Sequence, residues 1–182
     1  MKKRFYVWHR WLGLVACLAV IPWSLTGVLH PIMSWTQPRP ANMFLKKAPL
    51  QPDAFKISLV DALARNNIGV IKSLNIVSLD SNTYYQVEPR DAGAPVYLNI
   101  IDGEPLADGD RRYAVFLARY FLNDTTSPVK SIERVTKFSA DYQKVNRLLP
   151  AWRVNFERPD GMRAYVDTTS SRLGTLVNNR KG

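Results

Sequence analysis

The longest hydrophobic pattern in the chain lies near its N-terminus. The 23 residues from Trp11 to Met33 carry no formal charge. A helix of that length covers about 35 Å, and the hydrocarbon core of a bilayer is about 30 Å thick. The pattern therefore predicts one transmembrane helix over residues 11–33, surrounded by membrane lipid.

The residues that flank this segment predict its orientation. Tryptophan residues lie near both ends, where their amphipathic rings prefer the headgroup region. Four basic residues precede the segment, whereas three follow it within residues 39–47. Because basic residues favour the cytoplasmic side, we expect residues 1–10 in the cytoplasm and the rest of the chain outside it.

Two alternative interpretations treat the segment as a cleaved signal. A secretory signal peptide has a shorter apolar core, about 7–15 residues, and ends at a small-residue cleavage site. Here the apolar run is longer and ends in His30 and Pro31. The stretch Leu14–Cys17 resembles a lipoprotein signal, but cleavage before Cys17 would leave most of the apolar run on the mature protein. A retained anchor is therefore the favoured hypothesis.

The rest of the chain alternates between helical and strand patterns. A proline-rich linker is predicted over residues 34–57, because its prolines disfavour regular structure. Helices are predicted from Ser58 to about Asn66, where Ser58 and Asp61 resemble a capping box, and from Asp110 to Leu122, where apolar residues recur with helical spacing. Strands are predicted at 72–79, 84–88, 96–101, 129–136, 152–156, 163–167 and 173–177.

This order of elements predicts an α+β fold with antiparallel strands. Leu63-Ala64-Arg65 matches Leu117-Ala118-Arg119, and the strand pair within 85–99 matches the pair within 152–167. The similarity predicts an internal repeat, with a first unit over residues 58–107 and a second over residues 108–182. Chance similarity between two amphipathic units is the alternative, and the length allows either one domain or two small ones.

Composition limits the chemistry of the chain. Residues 37–182 carry a formal charge of +6, which suits an anionic lipid surface or an anionic ligand. No basic run is interleaved with aromatic residues in the pattern typical of nucleic-acid binding, so no nucleic-acid partner is predicted. The only cysteine is Cys17 and the only histidines are His9 and His30. The region after the apolar segment therefore cannot form the usual zinc sites or a nucleophile activated by histidine, and no self-contained catalytic site is predicted.

Several stretches resemble one protein family. His9–Leu14 and Ser24–Pro31 resemble the first helix of the PepSY-associated transmembrane proteins, and Pro150–Asp167 is similar to the closing hairpin of a PepSY domain. The resemblance implies that the two α+β units are PepSY-like and periplasmic, and that the chain lies in a bacterial inner membrane. It also implies a relation to haem-b reductases that pass electrons to ferric-siderophore complexes in iron uptake.

In those relatives membrane histidines are axial ligands of haem, and His9 and His30 match their positions. The relatives continue into further transmembrane helices. We therefore expect either a truncated form of a multi-span protein or a short form that works with a partner. The resemblance also implies an alternative, because PepSY domains regulate or inhibit peptidases: a non-catalytic binding module. A subunit that stabilises a larger membrane complex is a third hypothesis.

The spacing of the two histidines can be assessed independently. They are 21 residues apart, which places them about 31 Å apart along a straight helix and on similar faces. This spacing would put one haem near each membrane surface, although a histidine at an interface can also simply contact headgroups or water.

A second axial ligand would have to come from another transmembrane helix, in a homodimer or a multi-span partner. Small residues such as Gly13, Ala16 and Gly27 would allow the close helix approach that such a partner needs. Arg153 and Arg163 are candidates for docking the electron acceptor.

Overall fold

The computed structural model describes residues 2–35, 38–91, 93–146 and 148–179. The chain divides into two compact units, Met1–Pro38 and Arg39–Gly182. Residues 36 and 37 of the predicted linker, Met1, and the last three residues of the second predicted repeat unit lie outside the described residues.

The first unit is a single helix, α1, which spans Lys2–Trp35. A helix is present where one was predicted, and it begins nine residues before the uncharged core. Pro22 and Pro31 lie inside α1 without ending it, and the hydroxyl of Thr26 donates to the carbonyl oxygen of Trp23 at 2.7 Å. Large apolar side chains are exposed along α1, from Phe5 to Leu29. Residues Lys3–Pro31 are long and apolar enough to cross a membrane, and a signal sequence has the same properties.

The second unit is an α+β fold with antiparallel strands, as predicted. Its helices are α2 (Leu59–Arg65) and α3 (Gly109–Leu122). Its strands are β1 (Ile71–Leu79), β2 (Asn82–Pro89), β3 (Val96–Asn99), β4 (Val129–Val135), β5 (Ala151–Phe156), β6 (Arg163–Asp167) and β7 (Arg172–Val177). Sheet 1 has the order β1-β2-β3, and sheet 2 has the order β4-β5-β6-β7.

The predicted capping residue begins α2. The Ser58 hydroxyl accepts from the backbone N–H of Asp61 at 3.1 Å and donates to the Asp61 carboxylate at 2.6 Å. The first two residues of the predicted linker, 34 and 35, instead belong to α1, because the helix continues past its uncharged core. Among the described residues from 38 to 57, only the short 3-10 turn Pro52–Ala54 is regular structure, as predicted. This segment nevertheless contacts the rest of the second unit. The backbone N–H of Ala41 donates to the carbonyl oxygen of Phe121 at 2.8 Å, so this segment is bound to the end of α3.

Helix α3 joins the two sheets into one core. It contacts β3 of sheet 1 and β5, β6 and β7 of sheet 2. The buried residues that share this core include Val77, Leu79, Tyr84, Tyr97, Tyr113, Leu117, Phe121, Val154, Ala164, Val166 and Leu176. A second cluster, in which Ala62 meets Tyr85, Val87 and Leu98, covers the opposite face of sheet 1. Sheet 1 is therefore packed on both faces.

A chain of buried hydrogen bonds also connects the sheets through α3. Gln86 Nε2 donates to Tyr97 Oη at 2.6 Å and to the carbonyl oxygen of Thr168 at 2.9 Å. Tyr97 Oη donates to Asp110 Oδ1 at 3.0 Å, and Trp152 Nε1 donates to Asp110 Oδ2 at 2.7 Å. Burial and the Asp110 carboxylate raise the pKa of Tyr97 far above its usual range, so its hydroxyl stays a donor.

The two sheets pair their strands in matching register, which supports the predicted internal repeat. Between β2 and β3 the partners are Tyr85–Leu98 and Val87–Val96, and between β5 and β6 the corresponding partners are Trp152–Val166 and Val154–Ala164. Likewise, Leu74 of β1 pairs with Val87, as Ile132 of β4 pairs with Val154. A shift of register falls at Lys72 in β1 and at the equivalent Lys130 in β4. The sequence also carries a signal for this equivalence, because Ile71–Leu74 resembles Val129–Ile132. The motifs from which the repeat was predicted do not include these two stretches.

Asp124, which lies just after α3, accepts hydrogen bonds that join this part of the chain to Ser127 and Arg158. Its carboxylate accepts from the Ser127 backbone N–H at 2.9 Å, the Ser127 hydroxyl at 2.7 Å and Arg158 Nη1 at 2.6 Å. These bonds, first from Ser127 and then from Arg158, hold the pKa of Asp124 well below its usual range. The ionised form therefore stabilises the fold above about pH 4, and that contribution is lost as the pH falls through the lowered pKa.

We expect Asp124→Asn to lower the free energy of unfolding by about 1 kcal/mol at pH 7, because the acceptor loses its negative charge and one of its two oxygens. The difference from the wild type should shrink as the pH falls below 4. Urea denaturation of the full chain in detergent, followed by circular dichroism, measures both. Asp53→Asn is the control, since Asp53 is exposed on a 3-10 turn. A pH-independent difference at Asp124 would contradict the assignment.

Candidate functional site

The structure places both predicted haem ligands on α1. His9 and His30 are exposed, and neither imidazole has a hydrogen-bond partner among the described residues. Because α1 is unbroken between them, their separation along the axis stays about 31 Å. One helix thus presents two free imidazoles near opposite ends of its apolar stretch and does not bring them together.

The donor chemistry of α1 fits one axial position of a haem at each end. A neutral imidazole is a common axial ligand of haem iron, and a haem needs only one or two such ligands. The described residues contain no group of three or more His, Cys, Asp or Glu side chains that could hold a metal ion. Because the two imidazoles lie far apart on one helix, a haem held by either of them would need any further protein ligand from another helix.

The surface of α1 leaves room for another helix. A Cβ atom built on Gly13 or Gly27 would meet nothing within 4 Å. Small residues at such positions let helix backbones approach closely in a membrane. The exposed apolar surface of α1 is therefore compatible with a helical partner as well as with lipid.

The two predicted docking arginines lie on neighbouring strands of sheet 2, in a polar cavity of about 670 Å³. Arg153 forms an ion pair with Glu133, and Arg163 Nε lies 3.2 Å from Asp141 Oδ2. Each guanidinium therefore already has a carboxylate beside it. Arg158, which also lines the cavity, pairs with Asp124 and Asp160, so three of the four cations in the lining already lie beside carboxylates. Only Lys130 has no ion pair among the described residues, which weakens the cavity as a docking site for an anion.

The loop between β4 and β5 covers another part of this face. Tyr142 is fully buried and stacks on Tyr165, with ring centroids 4.6 Å apart and planes within 3°. Its hydroxyl donates to the carbonyl oxygen of Leu148 at 2.7 Å. Burial, with the nearby Asp167 carboxylate, raises the pKa of Tyr142 to about 12. Tyr142 therefore packs against the face of sheet 2. Because its pKa is raised, it is not a candidate acid or base near neutral pH.

A second cavity was missed by sequence reasoning. It has a volume of about 700 Å³ and runs along the outer face of α3; we call it the α3 groove. Its apolar walls come from Leu79, Val115, Phe116 and Ile132, and its cationic groups are Arg111, Arg112 and Arg119. The sequence contains a signal for it, because residues 111, 115 and 119 follow one another at four-residue spacing on α3.

Comparisons with known proteins give no identification. No family model, curated protein or solved structure matches this chain. The resemblance to the PepSY-associated family therefore stays a prediction that rests on the sequence motifs.

The arrangement as a whole supports binding better than self-contained catalysis. The helix α1 offers two free imidazoles and an apolar surface, while the second unit offers a polar cavity and the α3 groove. The buried carboxylate of Asp110 has both of its oxygens occupied by donors from Tyr97 and Trp152. It therefore holds the core together and does not face either cavity.

Proposed function

We propose that the chain is a component, or the N-terminal portion, of a haem-b membrane reductase that passes electrons to periplasmic ferric-siderophore complexes. The observation that carries this proposal is the pair of free imidazoles, His9 and His30, on one unbroken apolar helix. In this proposal α1 anchors the chain in a bacterial inner membrane with its N-terminus in the cytoplasm. The second unit is then a periplasmic, PepSY-like domain.

Each histidine has a defined role in this proposal. His9 would hold a haem iron near the cytoplasmic surface, and His30 would hold another near the periplasmic surface. When bound, haem b supplies one-electron redox chemistry at a potential that the apolar surroundings tune. A homodimer or a multi-span partner would supply any further ligand of each iron, with small residues such as Gly13 and Gly27 at the contact.

The visible spectrum of the protein tests the proposal. The full chain, purified in mild detergent from native membranes with haem supplied, should show a Soret band. His9→Ala and His30→Ala should each remove about half of the absorbance, because each removes one ligand of a separate haem, and the double variant should show none. Cys17→Ala is the matched control, since it removes another potential ligand from the same exposed helix and should leave the band intact.

Two outcomes would overturn the haem proposal. One is a wild-type protein without a Soret band after haem-replete expression. The other is a double histidine variant that keeps the band.

A non-catalytic binding module is the second candidate function. It is favoured because every histidine and cysteine of the chain lies within its first 30 residues, whereas the second unit contains the α3 groove. In this alternative the chain regulates a periplasmic peptidase or stabilises a larger membrane complex. A purified peptidase whose activity changes on addition of the full chain, but not on addition of an Arg111→Glu variant, would support it over the reductase.

A further inference from the structure

The α3 groove combines an apolar floor with a cationic edge. Val115 and Phe116 are half buried and lie on the outer face of α3. The end of β1 contributes Leu79, and β4 contributes Ile132. Small-molecule sites are concave, mostly apolar, and carry a few polar groups that orient the ligand. The groove has this composition and a suitable volume, about 700 Å³.

The cations at its edge are available to a ligand to different degrees. The side chain of Arg111 is exposed and forms no hydrogen bond or ion pair with the described residues. Arg112 pairs only with Asp80, at 2.6 Å, and both of these side chains are about half exposed. Such exposed pairs contribute little to stability and exchange readily. Arg119 is fixed, since it donates to the carbonyl oxygens of Asp124 and Ser127.

The position of Arg111 and Arg112 is unfavourable for folding alone. Both lie in the first turn or so of α3, which begins at Gly109. The N-terminal end of a helix carries partial positive charge, so cations there are destabilising and anions are stabilising. Local choices that oppose the fold are typical of functional sites. Two adjacent arginines beside an apolar groove therefore favour a ligand with negative charge.

We propose that the α3 groove binds an amphipathic organic anion, an aromatic or apolar body that carries a carboxylate. The body lies on Val115 and Phe116, and the carboxylate lies on Arg111 with Arg112 beside it. A guanidinium matches a carboxylate through two parallel hydrogen bonds, which adds direction to the charge attraction. Asp80 and Asp108 also line the groove, and their carboxylates would repel additional negative charges on the ligand. They therefore favour a ligand with few negative charges. The proposal does not depend on haem ligation by α1.

Calorimetric titration of the full chain in detergent with 2-naphthoate tests the proposal, with a titration into detergent alone as the blank. The neutral analogue 2-naphthalenemethanol reports on the apolar body without the charge. We expect Arg111→Gln to weaken 2-naphthoate binding about tenfold and Arg111→Glu to weaken it further, because a charge-assisted hydrogen bond is lost or replaced by repulsion. Arg90→Gln, which removes an exposed arginine outside the groove, should leave the affinity unchanged.

The result that supports the proposal is 2-naphthoate binding that is tighter than that of the neutral analogue and sensitive to Arg111 but not to Arg90. Absence of binding to the wild type at millimolar concentration would overturn it. Equal affinity for the two analogues, or equal loss in the Arg111 and Arg90 variants, would overturn it as well. Because Arg111 is exposed, these variants should fold normally, and their circular dichroism spectra check this.

Discussion

Asp110→Ala is expected to lower the free energy of unfolding by about 3 kcal/mol. The side chain is only 7% exposed, and its two oxygens accept from Tyr97 and Trp152. Alanine would leave the buried Tyr97 hydroxyl and the half-buried Trp152 N–H without this acceptor, at about 1–3 kcal/mol for each group that stays unsatisfied. It would also remove a carboxylate from the first turn of α3, where negative charge is favourable.

A double-mutant cycle identifies the cause of that loss. Trp152→Phe keeps an aromatic ring but removes the indole donor to Asp110, so Asp110→Ala should cost about 1 kcal/mol less in that background than in the wild type. Urea denaturation in detergent gives all four stabilities. Strictly additive losses would show that the Asp110–Trp152 hydrogen bond does not contribute as described.

The hydrophobic pattern predicted the elements of the second unit well. Helix α3 was expected at Asp110–Leu122 and spans Gly109–Leu122, and every predicted strand is present with its ends moved by at most a few residues. The reason is that α3 and the strands each bury one apolar face, so local periodicity and packing agree. Capping at Ser58 was predictable because both hydrogen bonds of its side chain join it to Asp61, only three residues away.

The contacts that unite the two halves could not be predicted. Gln86 and Thr168 are 82 positions apart and meet only because α3 and both sheets pack together. The sequence shows Gln86 as one polar residue in a strand, with nothing that distinguishes it from a solvent-facing neighbour. Its burial depends on two later elements, so no local pattern encodes it.

Of the candidate sites, one could be predicted from the sequence and the other could not. His9 and His30 stand out in the sequence because they are the only histidines and lie at the ends of the apolar segment. The α3 groove does not, because its walls come from the end of β1, from α3 and from β4. Conversely, the arginines singled out from the strand pattern, Arg153 and Arg163, already lie beside carboxylates of Glu133 and Asp141. Strand alternation shows which side chains share a face but not which charges on that face are already paired.

Gly109→Ala is expected to destabilise the fold by about 2 kcal/mol, although alanine normally favours a helix by about 1 kcal/mol over glycine. A Cβ atom on Gly109 would lie 2.7 Å from Tyr97 Cδ2 and 2.9 Å from Tyr97 Cγ. Tyr97 cannot move aside easily, because it is fully buried and its hydroxyl is bound to Gln86 and Asp110. Overpacking of a filled core typically costs about 1–3 kcal/mol, which outweighs the gain in helix propensity.

Gly69→Ala separates this steric effect from the general effect of replacing glycine. A Cβ atom on Gly69 would meet nothing within 4 Å, so that variant should be neutral or slightly stabilising. Chemical denaturation of both variants beside the wild type gives the comparison. If Gly109→Ala were as stable as the wild type, the beginning of α3 would not be held against Tyr97. The buried hydrogen bonds that join the two sheets would then have a looser geometry than their distances indicate.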